Sequence, residues 1–516
     1  MQSPLKKLPI GIQTFGKIQE SNYVYVDKTR FALNLIENGT YYFLARPRRF
    51  GKSLFLSTLQ ALFEGKKELF EGLYAYDQWD WNTLYPVIKL SFSGVARNVG
   101  DMHQDIHNLF LENQERLGVT CRDAHDIGGC FRELIRRTFE QYKQRVVVLV
   151  DEYDKLILDN LDQPAMAQEA REILKDLYTT LKDSDEFIQF AFLTGVSKFA
   201  KVSIFSGLNN LTDISLDEDY AAICGYTEQE LADQFGGHLK NADMTGVREW
   251  YNGYNFLGDN VYNPFDVLLF ISNKFKLSNY WFSTGTPTFL IQLIKKQKYF
   301  IPKLEGLRIS NILVDSFDIE DIKLEPILFQ AGYLTLKGVE QTGPLTQYIL
   351  GFPNLETRYS FNDVVLDYLT DQRSEKANFQ TTVYAALKDG NIESFKKTLI
   401  ALFASIPYTH YVNNTIGEYE GYFASVMYAY LASLGLDIIG EDVTNKGRID
   451  LTIRLDSNIY ILEFKVDGKG SALEQIRARG YQEKYLHERK KVYLIGIDFD
   501  AEEKNISEFA WEQVET

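Results

Sequence analysis

The feature that most constrains this chain is the run YYFLARPRRFGKSLFLSTLQALF at residues 41–63. Five apolar or aromatic residues lead into a short basic loop, then into a stretch with Leu and Phe at helical spacing. A strand that feeds a helix through so short a loop opens a βαβ unit, which commits the N-terminal part to a parallel sheet covered by helices. The loop ends in Gly51-Lys52-Ser53. Gly51 permits close backbone approach, Lys52 can reach terminal phosphates, and the Ser53 hydroxyl can hold magnesium, while free N–H groups at the helix start face an anion. Arg46 occupies the place of the usual first glycine, five positions before Gly51. Arg46, Arg48 and Arg49 read as phosphate contacts, with pairing to acidic surface groups as the alternative for the last two.

The rest of residues 1–210 continues the pattern. PVIKLSF (86–92) reads as a strand, and 101–117 and 131–144 have helical spacing. RVVVLVDEYDK (145–155) is a buried strand whose carboxylates begin where the apolar run ends. Asp151 is thereby placed to hold magnesium and Glu152 to activate water. A helix near 164–183 precedes IQFAFLTGVSK (188–198), another buried strand, in which Thr194 is placed to sense a terminal phosphate. Near-continuous apolar strands predict a sheet buried on both faces, and the loop together with the Asp151-Glu152 strand end predicts binding of a nucleotide with Mg2+.

Composition limits what else the chain can be. With 55 Lys and Arg against 71 Asp and Glu the formal charge is −16, which argues against indiscriminate coating of nucleic acid but not against a basic cleft. Cys121, Cys130 and Cys224 are too few and scattered for a disulfide scaffold or a four-thiolate zinc site, so three free thiols in a reducing compartment are expected. No stretch has the length and apolarity of a membrane span or signal peptide, and a cytoplasmic protein without membrane partners is expected.

Residues 211–317 read as helices and irregular segments, 318–360 as a helix feeding a hairpin, and 361–410 as helices that include a pair joined at Asp389–Gly390. The last hundred residues run helix, three strands, helix, strand. GRIDLTIRL and NIYILEFKV flank a turn at Asp456-Ser457-Asn458, and a tight turn centred between 456 and 457 sets Asp450 opposite Glu463. Glu463 and Lys465, two apart on one strand, share a face. The two carboxylates, helped by the Phe464 carbonyl, can hold magnesium, and Lys465 can orient water near a phosphate. Between Lys446 and Lys491 stand eleven Lys and Arg against seven Asp and Glu, so Arg448, Lys469, Arg477, Arg479 and Lys484 are candidates for a phosphate track.

These segments resemble the bacterial AAA-ATPase-like proteins that carry a C-terminal nuclease domain of the PD-(D/E)xK superfamily. LPIGIQTFGKI, YVYVDKTRF, the loop RPRRFGKS, VVVLVDEYDK, FLTGVSKFAKVSIFSGLNNLTDI, YNGYNF, VYNPF, FQAGYLTL and GRIDL…ILEFK carry the resemblance over nearly the whole chain. It implies an AAA-like P-loop ATPase at 1–210, a lid-like helical region at 211–317, a winged-helix-like unit at 318–360, a helical connector at 361–410, and a restriction-endonuclease-like α/β domain at 411–516. It assigns Asp450, Glu463 and Lys465 to the D…(D/E)xK motif, with Gln475, Tyr481, Arg448 and Glu420 as accessory residues and Glu418 as the alternative to Glu420. The implied activity is an ATP-dependent or ATP-regulated, magnesium-dependent nuclease, with DNA ahead of RNA as partner and defence or mobile-element biology as setting. The alternative is a non-catalytic, nucleotide-dependent switch that binds nucleic acid or protein. Such ATPases often complete their sites across subunits, which allows a homo-oligomer, and no arginine finger can be assigned.

Overall fold

The computed structural model describes residues 4–94, 98–123, 125–198, 204, 210–284, 288–310, 322–370, 376–406, 421–467 and 471–514. The chain divides into two units, one comprising Met1–Thr284 with Arg308–Ile349, the other Gly285–Leu307 with Leu350–Thr516. The expected helical region 211–317 is therefore shared between them. Its residues up to 284 fold with the N-terminal sheet, and 285–307 fold with the C-terminal one.

In the N-terminal unit five strands stand in the order β2-β3-β4-β1-β5, where β1 is Tyr41–Ala45, β2 Val87–Ser91, β3 Val146–Asp151, β4 Ile188–Gly195 and β5 Thr212–Asp213. All neighbours are parallel. Every residue of β1 and β3 is buried, so these strands are apolar on both faces. Alternate side chains divide between the faces. Tyr42, Leu44, Val147, Leu149, Phe190 and Phe192 share one core with Phe55, Leu59 and Leu62 of the helix Lys52–Phe63. Helices Val99–Leu117, Ile127–Tyr142 and Pro164–Asp183 complete the sheet's helical cover. The register pairs Ala45 with Gly195 and Ser91 with Asp151, so the strands run out together at one edge. Downstream, the helix Leu324–Gln330 leads into the strands β7 (Thr335–Thr342) and β8 (Leu345–Gly351), which form a small sheet with β6 (Leu307–Ser310).

One expectation is corrected here. Cys121 and Cys130 are not free thiols but form a disulfide, with Cα atoms 5.1 Å apart. The chain leaving the helix Val99–Leu117 folds back as the Cys121 N–H donates to Gln114 Oε1 (2.8 Å), and this brings Cys121 to Cys130 in the next helix. Cys224 is free and buried. Among the described residues no helix is long and apolar enough to cross a membrane.

The C-terminal unit is a five-stranded sheet in the order β13-β12-β11-β10-β9: β9 is Asp437–Thr444, β10 Gly447–Leu455, β11 Asn458–Val466, β12 Lys491–Asp500 and β13 Asn505–Val514. A two-residue turn with Asp456 at φ 49° joins β10 to β11. The parallel pair β11–β12 is connected through the helix Ala472–Arg479. On one face Ile459, Ile461, Val492 and Leu494 pack on Leu473, Ile476, Tyr481 and Tyr485. Phe499 packs against Phe403 and stacks at 4.5 Å on Phe423 of the helix Gly421–Ala432, whose residues after Gly421 are all buried. The edge strand β13, antiparallel to β12, extends the expected order of elements.

Gly496 on β12 sets how closely the helix Ala472–Arg479 approaches the sheet. A Cβ there would lie 2.2 Å from the Leu473 nitrogen and 2.9 Å from the Ala472 carbonyl carbon. Backbone at that distance cannot swing away as a side chain would. Gly496→Ala is expected to destabilise the C-terminal unit by about 3 kcal/mol, seen as a lower urea midpoint; an unchanged midpoint would mean that the helix backs off freely.

Candidate nucleotide cavity and carboxylate site

At the carboxyl edge of the parallel sheet the chain leaves β1 into the loop Arg46–Gly51. Arg49 and Gly51 have φ of 70° and 98°, and Gly51 caps the helix Lys52–Phe63 in the left-handed region that favours glycine. A cavity of about 490 Å³ opens there, lined by Arg48, Arg49, Gly51, Lys52 and Ser53, by Glu152 and Asp154 after β3, and by residues 9 and 11–13. This is where ligands bind in open parallel sheets, at a switch in strand order.

Lys52 is buried, and its Nζ donates to the carbonyls of Arg46 (2.8 Å) and Pro47 (3.0 Å). Burial pulls its pKa down, opposed by the negative charges of Asp151, Asp154 and Glu152 nearby. Glu152, at φ 53°, has a raised pKa from burial and from Asp151 beside it. Asp151 ends β3, buried, with an Oδ1 that accepts the Glu152 N–H (3.0 Å). Thr194 is buried and donates its hydroxyl to the Leu44 carbonyl (2.8 Å).

The structure does not bring the Arg46 side chain to this cavity. Its guanidinium is 1% exposed, donates to the carbonyls of Ala45 (2.9 Å), Ser215 (2.7 Å) and Tyr220 (3.2 Å), and stacks 3.9 Å from the Phe256 ring centroid. Burial lowers its pKa to about 10. Carbonyl dipoles at its two terminal nitrogens and an aromatic face stabilise the buried cation, so it anchors the root of the loop. Arg49 lies 4.5 Å over the Phe265 ring centroid. Sequence reasoning passed over Asp154, which lines the cavity and accepts from the N–H groups of Val196 (3.0 Å) and Ser197 (2.6 Å) and from the Ser197 hydroxyl (2.6 Å). Its position in the DEYD run was the available signal.

In the C-terminal unit, β10 pairs with β11 as far as Leu451 with Leu462. One step further, side chains take over from the ladder. The Phe464 N–H donates to Asp450 Oδ2 (2.7 Å), and Glu463 Oε2 lies 3.5 Å from the Asp450 nitrogen. Glu463 is 2% exposed and accepts a hydrogen bond at Oε1 from the Gln475 amide. Burial, and then the charge of Asp450, push its pKa up to about 8, while Lys465 acts in the opposite direction. Tyr481 lies beside Gln475 and Glu463, and burial, then the Glu463 charge, raises the pKa of its hydroxyl. The structure thus gathers Asp450, Glu463, Lys465, Gln475 and Tyr481. It engages the N–H of Phe464, whose ring turns towards Phe499 at 6.2 Å. Glu418, Glu420 and Lys469 lie outside the described residues. Glu441 was missed: it flanks Asp450 in the β9–β10 register, adds to the negative charge felt by Glu463, and pairs with Arg448 at 2.6 Å.

The basic track is largely neutralised. Arg448 pairs with Glu441, Lys484 with Asp442 and Arg477 with Glu512, all three carboxylates standing outside the stretch whose charge was counted. Arg479 donates to the Lys446 carbonyl (2.8 Å).

Among the described residues no group of three or more His, Cys, Asp or Glu could hold a metal ion. The pair Asp450 and Glu463 still suits a hard divalent cation that keeps most of its waters, because its donors are carboxylate oxygens, and burial together with the Asp450 charge raises the Glu463 pKa, a cost that a bound cation would offset. A carboxyl whose folded pKa is raised stabilises the fold fully below the ordinary glutamate range, and that contribution is lost as the pH rises through about 8. In chelator, wild-type protein should therefore lose thermal stability between about pH 5 and about pH 9 more steeply than Glu463→Gln. Parallel melting curves would show that Glu463 is not held protonated.

Comparison with known proteins places one family match in each part of the chain. The family described as "Predicted AAA-ATPase" matches residues 9–205, and the PD-(D/E)XK nuclease superfamily matches residues 418–509. The "Uncharacterized protein in vnfD 5'region" of Azotobacter chroococcum mcd 1 is 46% identical over 514 residues, covering 99% of each chain. No solved structure matches at a significant level. The chain belongs to the family in which an N-terminal AAA-ATPase-like domain is joined to a C-terminal domain of the PD-(D/E)XK nuclease superfamily.

Proposed function

We propose that the chain is an ATP-dependent or ATP-regulated nuclease that cuts phosphodiester bonds of nucleic acid, DNA ahead of RNA, with magnesium. The observation that carries this reading is the buried Glu463 set against Asp450 where β10 and β11 separate, with Lys465 on the same strand face and Gln475 reaching in from the helix. A divalent cation held by Asp450, Glu463 and the Phe464 carbonyl would polarise the scissile phosphate. Lys465 orients the attacking water, Gln475 fixes the rotamer of Glu463, and Tyr481 supports Gln475. In the N-terminal unit Lys52 exchanges the carbonyls of Arg46 and Pro47 for terminal phosphate oxygens, and Arg48 and Arg49 add charge at the cavity. Ser53 and Asp151 supply oxygens for the accompanying cation, Glu152 activates water, and Thr194 senses the terminal phosphate. The helix and hairpin of residues 324–351 form a winged-helix-like element, and defence or mobile-element biology is the setting that such a pairing suits.

The pairing of Arg448, Arg477 and Lys484 with carboxylates favours a second reading, a nucleotide-dependent switch whose C-terminal unit docks nucleic acid or protein without cutting. Cleavage assays on the full chain separate the two. Lys465→Ala should lower magnesium-dependent cleavage roughly a hundred-fold or more while leaving ATP turnover and manganese binding intact. Lys52→Ala should abolish ATP turnover, and Asp450→Asn should abolish manganese binding seen by calorimetry. A wild-type protein that cuts neither single- nor double-stranded DNA or RNA, with magnesium or manganese and with or without ATP, would sink the nuclease reading.

A further inference from the structure

Two sets of hydrogen bonds meet on the short turn after β4. From the cavity, Asp154 accepts from Val196 N (3.0 Å), Ser197 N (2.6 Å) and Ser197 Oγ (2.6 Å), and the Tyr153 hydroxyl donates to the Ser197 carbonyl (2.9 Å). The next residue is held from elsewhere. The Lys198 N–H donates to Gln330 Oε1 (2.9 Å), and Gln330 Nε2 lies 3.5 Å from the Lys198 carbonyl. Gln330 is 7% exposed and ends the helix Leu324–Gln330. Its amide serves Lys198 as a neighbouring strand would, with one acceptor and one donor on the backbone of a single residue. Breaking that pairing would remove two hydrogen bonds from a part-buried backbone position, so the turn and the helix end should move together.

The same stretch also meets the loop that precedes Lys52. Gly332 has φ 90°, and a Cβ there would lie 2.7 Å from the side chain of Pro47. The Tyr333 ring packs 5.4 Å from that of Trp281, whose indole N–H donates to the Arg48 carbonyl (3.1 Å). Residues 330–333 therefore abut the turn after Thr194 directly at Gln330, the Pro47 side chain of the phosphate loop at Gly332, and that loop's backbone through Trp281.

We propose that Gln330 is a positioning residue of the nucleotide site, acting through Lys198 on the turn clamped by Asp154. It ties the end of β4 to the helix Leu324–Gln330 and the hairpin that follows, so that a shift at the cavity reaches that hairpin as one piece. The proposal rests on the nucleotide reading of the cavity. Two variants test it in the full chain. Gln330→Met keeps the length of the side chain and removes the two polar contacts with Lys198, while Gln330→Glu keeps the acceptor for the Lys198 N–H. ATP affinity is measured with a fluorescent ATP analogue, turnover by phosphate release, and folding by thermal melts.

Gln330→Met should bind nucleotide within about two-fold of wild type and lose about ten-fold in kcat, with Gln330→Glu intermediate at about three-fold. If Gln330→Met gives no cooperative melt, the loss in Gln330→Glu decides. Wild-type turnover in a folded Gln330→Met protein would overturn the proposal. So would a loss of affinity and melting temperature in both variants that accounts for the fall in turnover, since that is the mark of a purely structural residue. A wild-type chain that neither binds nor hydrolyses ATP would instead remove the nucleotide reading, and the proposal with it.

Discussion

A strand buried on both faces has no room for a charge until it runs out, and much of this structure follows from that constraint. Every side chain of β1 and β3 is buried, so the polar groups of the N-terminal unit collect where these strands end. Parallel pairing brings Ala45, Asp151 and Gly195 to one edge, and the loop Arg46–Gly51 begins there. The C-terminal unit meets the same constraint differently. Its carboxylates lie inside the strands, and they are tolerated because β10 and β11 part beyond Leu451 and Leu462, where side chains replace missing backbone partners.

At both sites the charged groups have partners within the protein. Lys52 turns its ammonium to two carbonyls of its own loop, and Glu463 is driven towards its neutral form while accepting from Gln475. Occupancy of either site must therefore replace interactions that already exist. The net affinity is the difference between two satisfied states, which makes each site sensitive to small changes in its surroundings.

Much of this was legible in the residues. The strand, loop and helix around Gly51-Lys52-Ser53 were readable because apolar runs and the loop motif agree, and the tight turn at Asp456-Ser457 brought Asp450 level with Glu463 by counting alone. The environment of Arg46 was not readable, because its partners Ser215, Tyr220 and Phe256 lie some 170 residues or more away in sequence. The local excess of Lys and Arg misled for a similar reason, since Glu441, Asp442 and Glu512 reach into the stretch from outside it. The edge strand β13 was passed over because its charges, Glu508 and Glu512, interrupt the apolar run. The disulfide between Cys121 and Cys130 depends on a fold-back at Gln114 that no local spacing announces.

The burial of Arg46 bears on how the loop after β1 can move. Its root is bolted from within by carbonyls of residues 45, 215 and 220, while Arg48 at its outer part is exposed to solvent. The inner end of the segment is fixed to the sheet, while its outer part is held more lightly, by the Trp281 indole at the Arg48 carbonyl and the Phe265 ring under Arg49. The arginine standing where a glycine is usual thus gives the loop a fixed hinge pin and confines its freedom to the few residues that face the cavity.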